Sequence, residues 1–356
     1  MAELVNFSGS PVAGRRQLAL ALPGLIVVVG GLVLALDDGG YPPTVWYPAA
    51  LFALVLLAVV VIAVPPQRVE PRSLLLALCA FGLFALLAYA SIAWADDQGA
   101  AWLAANRILL YGLVLVTVTL HPWSRTGAGI AVAITGFGLA LIAAGILLHG
   151  VLRDDPSDLF LGGRLSEPAG YLNATANLWL IGIWPALYFA TRPAWPPWAR
   201  ALALAAATLL LEMELLSQSR GAVIAFVASA LVYVLVTPRR WPTLLALAAV
   251  IGLTALAFDP LVAVRDAARA ADLGPALDHA ARAIALTAAG ALVLGFAGAL
   301  LGARISPEVE RRQQLQTAGN VGLVVLALAG IVAVLIAIGN PSDWVDARWQ
   351  DFKTSG

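Results

Sequence analysis

Long, nearly uninterrupted apolar runs dominate this chain, and they leave few folds open to it. A helix needs roughly 20 apolar residues to cross the hydrocarbon layer of a bilayer. About eleven stretches have that character: Leu18–Leu36, Tyr47–Val64, Leu74–Trp94, Ile108–Leu120, Gly127–Leu148, Leu178–Ala190, Ala201–Leu216, Ala222–Val236, Thr243–Phe258, Ile284–Leu301 and Val321–Ile338. The fourth, sixth and eighth are short as bounded and must draw on flanking residues. The runs are continuous and rich in Leu and Ala rather than alternating, which disfavours a β-barrel. Hydrophobic residues make up 61% of the chain and charged residues 12%, against about half and a quarter in a soluble domain. Too few polar groups remain to cover a water-facing surface. The first run is no cleavable signal peptide, because it is long and further spans follow it. The expected fold is therefore an all-α integral membrane protein of about 11 transmembrane helices.

Orientation follows from the arginine bias, since cytoplasmic loops collect Lys and Arg. With the N-terminus inside and sides alternating, the cytoplasmic segments hold Arg15, Arg16, Arg68, Arg72, Arg125, Arg192, Arg200, Arg239, Arg240, Arg304, Arg311 and Arg312, against the acids Glu3, Glu70, Glu308 and Glu310. The pairs Asp37–Asp38, Asp96–Asp97 and Asp154–Asp155 all fall outside. The expected organisation is a cytoplasmic segment over residues 1–17, a polytopic transmembrane domain over 18–338, and the start of an extracytoplasmic loop over 339–356, with the C-terminus outside.

The cytoplasmic connections are short and carry turn residues, as in His121-Pro122-Trp123 and Trp195-Pro196-Pro197-Trp198. Two outer segments are longer. One is Val151–Asn173. The other is Asp259–Arg282, where Val262–Leu273 reads as a small amphipathic helix lying in the interface. Many tryptophans, Trp94, Trp102, Trp184, Trp195 and Trp198 among them, fall at expected interfaces and read as aromatic belts.

Several classes of chemistry drop out. The formal net charge is zero, which gives no electrostatic reason for a nucleic-acid partner. The single cysteine, Cys79, permits neither an internal disulfide nor a Cys-x-x-Cys metal site. No P-loop, Gly-x-Gly-x-x-Gly, His-Glu-x-x-His or nucleophile elbow appears, and no metal-ligand cluster. No metal or cofactor is expected.

Ionisable groups at a membrane span are costly and often functional. Arg164 lies in GGRLSEPAGYLN, just before the sixth span. Two glycines there allow close backbone approach, and Glu167, Tyr171 and Asn173 follow within nine residues. A snorkelling loop arginine is the plainer reading. Arg220 lies in LLSQSRGA, at a junction with almost no linker, where Gly221 permits a tight turn and Ser217 and Ser219 can donate hydrogen bonds. An interfacial anchor on a lipid phosphate is its plainer reading. Glu212 and Glu214 are the acids deep within an apolar run. Glu212 precedes Arg220 by about two helical turns on nearly the same face, so it could orient that arginine, carry a proton, or simply pack as a protonated carboxyl. His121, His149 and His279 are weaker candidates. Guanidinium forks on the outer face suit phosphate oxygens, which they bind bidentately while remaining charged. A lipid-linked diphosphate, with its head at the interface and its tail between spans, fits that arrangement.

The stretches GRLSEPAGYLNATANLWLIGIWPAL (Gly163–Leu187) and LLSQSRGAVIAFVASALVYVL (Leu215–Leu235) resemble the O-antigen ligase and polymerase family of polytopic bacterial membrane proteins. Arg164 and Asn173 match that family's arginine followed by an asparagine that opens a span. Ser219, Arg220 and Gly221 match its Ser-Arg-Gly turn about 50 residues later. Trp344–Phe352 resembles the opening of its large outer loop. The resemblance implies a multi-span (GT-C-like), metal-independent, inverting glycosyltransferase of the bacterial cytoplasmic (inner) membrane. Such an enzyme moves a glycan from a polyprenyl-diphosphate carrier to a glycan or lipid acceptor on the outer face. It implies that Arg164 and Arg220 bind the diphosphate and stabilise its developing charge. Glu167, Tyr171, Asn173 and Ser219 would then shape the donor site, Glu212 would support Arg220, and Arg107 would make a further phosphate contact. It also implies a histidine in the large loop. Only three residues follow Lys353, so the expectation is an N-terminal portion of a longer protein. Three rivals stand beside this reading: a polymerase that lengthens the lipid-linked chain, a transporter or flippase of an anionic lipid-linked solute, for which Glu212 is the favouring feature, and a non-enzymatic structural or scaffolding membrane subunit.

Overall fold

A hydrocarbon solvent offers backbone N–H and C=O groups no partners, so a chain immersed in it must satisfy them within its own segments. Helices do this locally. The computed structural model describes residues 11–63, 72–270 and 272–304, together with 321, 322 and 325. Most of the expected eleventh span and the polar segment 339–356 lie outside the described residues, as do residues 1–10 of the N-terminal segment.

The helices fall into two compact units, residues 1–135 and 136–356. The first contains α1 (Pro11–Ala35), α2 (Pro43–Ala63), α3 (Arg72–Ala90), α4 (Gln98–Leu120) and the beginning of α5 (Arg125–Val151). The Asp97 side chain accepts a hydrogen bond from the Ala100 N–H and so starts α4. His121 and Pro122 break the helix before α5. α4 packs against both α2 and α3, and Trp46, Ala53 and Leu110 make the buried centre of the α2–α4 contact. α3 has no buried residue among its 19, as a helix surrounded by lipid would present.

The second unit begins within α5. It continues through a two-stranded antiparallel hairpin, β1 (Phe160–Leu161) and β2 (Arg164–Leu165), then α6 (Leu172–Ala190), α7 (Pro197–Ser217), α8 (Arg220–Val236), α9 (Arg240–Leu256), α10 (Phe258–Arg269) and α11 (Leu273–Arg304). The Pro196-Pro197 pair fixes the start of α7, where a missing N–H costs nothing. Gln218 ends α7 in the left-handed region at φ 45°. Ser219 then caps α8 by accepting from the Ala222 N–H.

α7 is the hub, packing on α6, α9, α10, α11 and β2. Six of its fifteen buried residues are alanine: Ala199, Ala201, Ala203, Ala205, Ala206 and Ala207. Without a hydrophobic drive between helices in lipid, small residues matter because they let backbones approach. A Cβ on Gly295 of α11 would lie 2.7 Å from the Ala201 Cα. A Cβ on Gly136 of α5 would lie 2.8 Å from Pro185 and 3.1 Å from the Ala186 nitrogen in α6. Gly182 of α6 is wedged between Leu139 of α5 and Leu210 of α7. Glycine is thus required at three helix crossings of this unit.

Among the described residues, five helices are long and apolar enough to cross a membrane: α2, α3, α4, α5 and α11. The count becomes six if α9 and α10, bent by 47° at a short break, are taken as one span. This supports a helical multi-pass membrane protein and falls short of the eleven spans expected. The shortfall has local causes. α6 opens on Asn173, Thr175 and Asn177, α7 carries Arg200, Glu212 and Glu214, and α8 is only 17 residues long. The amphipathic helix expected over Val262–Leu273 appears as α10, shifted a few residues earlier, with Leu261 and Val264 buried.

The Gly295 contact decides between two opposing effects. Alanine in place of a helical glycine stabilises by about 0.4–1 kcal/mol where space is free, whereas overpacking costs about 1–3 kcal/mol. Gly298 has nothing within 4 Å of a would-be Cβ. Gly298→Ala should therefore raise the unfolding midpoint in detergent, and Gly295→Ala should lower it. Equal effects from the two variants would contradict the close α7–α11 crossing.

Candidate functional site

The two motifs singled out in the sequence meet through one hydrogen bond. The Ser219 hydroxyl donates to the Asn173 Oδ1 at 2.8 Å, joining the start of α8 to the start of α6 across 46 residues of chain. Asn173 also donates through Nδ2 to the Tyr171 hydroxyl at 3.0 Å. Ser219 is buried, whereas Asn173 and Tyr171 are exposed. The hydroxyl thus serves as helix cap and inter-helix tie together.

Arg164 reaches the same end of the unit by a different route. Gly162 and Gly163 have φ of 59° and 79°, the left-handed pair that a two-residue hairpin turn demands. Beside Arg164, Leu165 lines a small apolar cleft with Ile146, Leu147, Met213, Leu216 and Leu277. Met213 and Leu216 belong to the last turns of α7, next to the Ser217–Arg220 junction. The loop between β2 and α6 is tied down by Thr175, whose hydroxyl donates to the Ser166 carbonyl and accepts from the Ala169 N–H. Ser166 in turn donates to the Leu159 carbonyl. Arg164 is half-buried and Arg220 exposed.

α10 bridges these two places, and it brings in residues that the sequence motifs did not mark. Gly163 lies flush on it: a Cβ there would be 2.6 Å from the Arg265 carbonyl oxygen. On its other flank, Gln218 donates to the Val262 carbonyl at 3.2 Å and accepts from Arg265 Nη1 at 3.4 Å. The buried Nε of Arg265 has no partner among the described residues. The signal for Arg265 was its spacing: positions 262, 265 and 268 share one face of a short helix. That face reads as interfacial until the fold shows which partners cover it.

Acidic residues crowd this end of the unit, with Asp154, Asp155, Asp158, Asp259, Asp266, Asp272 and Asp278 in its loops and helix ends. Ion pairs among the described residues join Arg153 to Asp158 at 2.5 Å and Arg269 to Asp266 at 3.9 Å. Arg164, Arg220 and Arg265 are in neither, and no ion pair involves them among the described residues. The Ser157 backbone and side chain hold the exposed Asp155 carboxyl below its usual range, so that acid is engaged locally. Three guanidinium groups therefore have no acid partner among the described residues where carboxylates are plentiful, although Arg265 engages Gln218. Arg220 adds the first-turn N–H groups of α8, the positive end of a helix dipole.

Other expected site residues are placed differently. Glu212 is fully buried, and its Oε1 accepts from Thr287 of α11 at 2.6 Å. It does not support Arg220. The two-turn spacing fails because α7 ends at Ser217 and Gln218 turns the chain, so Arg220 does not continue the same helix. Arg107 belongs to the first unit, where Nη2 donates to the Tyr41 carbonyl at 3.4 Å and the guanidinium lies 4.1 Å from the Tyr41 ring centre. Local partners thus engage its outer nitrogen and its face, while its buried Nε has no partner among the described residues. Glu167 lies in the tied-down loop, joined to Pro168 by a cis peptide bond. His149 contacts Arg153 at 3.2 Å, and His279 is exposed on α11. His121 is buried against Trp123 in the first unit, and burial lowers its pKa below the ordinary imidazole value. No group of three His, Cys, Asp or Glu side chains suited to a metal ion occurs among the described residues.

No protein-family model, curated protein or solved structure matches this chain.

The Ser219–Asn173 tie can be measured by a double-mutant cycle. Ser219→Ala should cost about 1 kcal/mol through the lost cap. The coupling between Ser219→Ala and Asn173→Ala should be about 0.5–1.5 kcal/mol. A coupling near zero in denaturant unfolding would separate the two motifs.

Proposed function

We propose that this protein is a membrane glycosyltransferase that moves a glycan from a polyprenyl-diphosphate carrier to an acceptor at the outer face of a bacterial cytoplasmic membrane. The proposal includes the finer topology: eleven spans, a cytoplasmic N-terminus, an extracytoplasmic C-terminus and a GT-C-like architecture. The observation that carries it is the set of guanidiniums without acid partners, Arg164, Arg220 and Arg265, gathered at the acid-rich end of the second unit. An arginine left unpaired among carboxylates is one reserved for an outside anion. A diphosphate at headgroup depth has the charge and the planar oxygen pairs that such forks take.

In this reading the bond between the anomeric carbon and the diphosphate oxygen breaks as the acceptor oxygen bonds to that carbon. The acceptor hydroxyl gives up its proton, and the electron pair of the broken bond leaves on the diphosphate. Arg164 and Arg220 stabilise the charge that grows there, which is where fixed donors contribute most to rate. Asn173, Ser219 and Tyr171 hold the two helix starts together. Gln218 and Arg265 hold α10 against them, and Arg265 faces the same anion. The polyprenyl chain lies along exposed apolar helix surface.

A second reading, transport of an anionic lipid-linked solute, draws on Glu212 and Glu214, buried carboxyls on α7 each with an oxygen unpartnered among the described residues. Solute uptake into proteoliposomes that Glu212→Gln abolishes would replace the transferase reading. Lengthening of the lipid-linked product without added acceptor would make the enzyme a polymerase.

Arg164→Lys and Arg220→Lys keep the charge and lose the fork. A charged hydrogen bond is worth about 1.5–3 kcal/mol, so each variant should lose tenfold to a hundredfold in transfer, assayed in membranes with lipid-linked donor and separate acceptor. Arg125→Ala should change transfer little. Full activity in both lysine variants would overturn the clamp.

A further inference from the structure

The opposite end of the second unit carries a separate cluster that the transferase reading does not use. Connectivity defines this end: it holds the end of α6, the start of α7, the end of α8 and the start of α9. Arg192 follows α6, Arg200 sits in the first turn of α7, and Arg239 precedes α9. These side chains come from three places in the chain: Arg192 and Arg200 both contact the last turn of α6, and Arg239 is near enough to feel the charge of each.

Their geometry is partly fixed by neutral partners. The Arg192 guanidinium stacks 4.0 Å from the Tyr188 ring centre. Arg200 Nε donates to the Ala190 carbonyl at 3.0 Å, capping the last turn of α6. Trp184 packs against Phe226 and Tyr233 at 5.7 and 5.3 Å between ring centres, which fixes the end of α8 beside α6. Burial depresses the Arg239 pKa, and the positive charges of Arg200 and Arg192 depress it further. Arg239 is thus a partly desolvated cation with two further cations acting on it, an arrangement that costs free energy unless an anion joins it.

No carboxylate supplies that anion among the described residues. None of the three arginines is in an ion pair there. Between residues 187 and 245 the acids are Glu212 and Glu214, both buried toward the other end of α7. The surface beside the cluster is apolar and open: Trp198 and Leu202 on α7, and Val232, Leu235 and Val236 on α8, are exposed. A cationic pocket flanked by exposed apolar helix ends matches a two-part ligand, a phosphate head with acyl chains.

We propose that Arg192, Arg200 and Arg239 form a binding site for the phosphate headgroup of an anionic phospholipid, whose chains lie against the exposed ends of α7 and α8. The lipid would lock the α6–α7 and α8–α9 turns together on the face opposite Arg164 and Arg220. This site stands or falls independently of glycan transfer.

The test uses the whole purified protein, delipidated in mild detergent and titrated with phosphatidylglycerol or phosphatidylcholine while native mass spectrometry counts bound lipid. Phosphatidylglycerol should be retained preferentially. Arg192→Gln and Arg239→Gln should each weaken it about fivefold, as expected for one cation near an anionic headgroup, and Arg125→Gln should not. Undiminished preference in the Arg192→Gln/Arg239→Gln double variant would overturn the site. Displacement of the lipid by inorganic phosphate at comparable concentration would overturn the lipid as its ligand. A second measurement avoids variants: a photoreactive anionic lipid should label the wild-type segment 188–200 or 232–241, and labelling confined to other segments would overturn the assignment.

Discussion

Close backbone approach to one alanine-rich helix is the constraint on which the second unit depends. Lipid gives no hydrophobic reward for pushing helices together, so contact must come from packing and hydrogen bonds. α7 supplies the packing surface with six buried alanines, and its partners meet it with glycine or threonine. Gly295 brings α11 to the α7 backbone, and Thr287 binds Glu212 from the same helix. Gly182 brings α6 close in the same way. Because α7 is held on several sides, the turn at its end is held as well. That turn is where Gln218, Ser219 and Arg220 sit.

Rigid helices thus present polar groups on a short, irregular segment. Ser219 uses its single hydroxyl to cap α8 and to bind Asn173. Gln218 takes a left-handed conformation that non-glycine residues seldom adopt, and its amide anchors α10. The hairpin needs Gly162 and Gly163 to turn and to lie flat on α10. Each device is weak, at about 1 kcal/mol for an ordinary hydrogen bond. Together they fix the places from which Arg164, Arg220 and Arg265 extend.

The two ends of this unit treat their arginines in contrasting ways. At the Arg220 end acids are abundant and three arginines are still left out of ion pairs. At the Arg192 end no described acid is present and three arginines gather on carbonyl and aromatic partners.

The sequence alone determined that the chain is helical and membrane-embedded, because a bilayer permits few other answers for apolar runs of that length. It also marked Arg164, Asn173, Ser219 and Arg220, whose glycines, turn residues and polarity are conspicuous between apolar runs. Counting apolar residues yields eleven spans, while five or six of the described helices meet that standard, since the count takes no account of Asn173 and Asn177 in α6 or of the charges in α7. The sequence misread Glu212, because helical spacing carries no information past the residue where a helix ends. Only the tertiary structure decided that Ser219 binds Asn173, that α10 lies between the hairpin and the α7–α8 turn, and that Arg192, Arg200 and Arg239 converge. Those contacts join residues tens of positions apart. They depend on which helix faces which, a choice made by small-residue packing that no local pattern encodes.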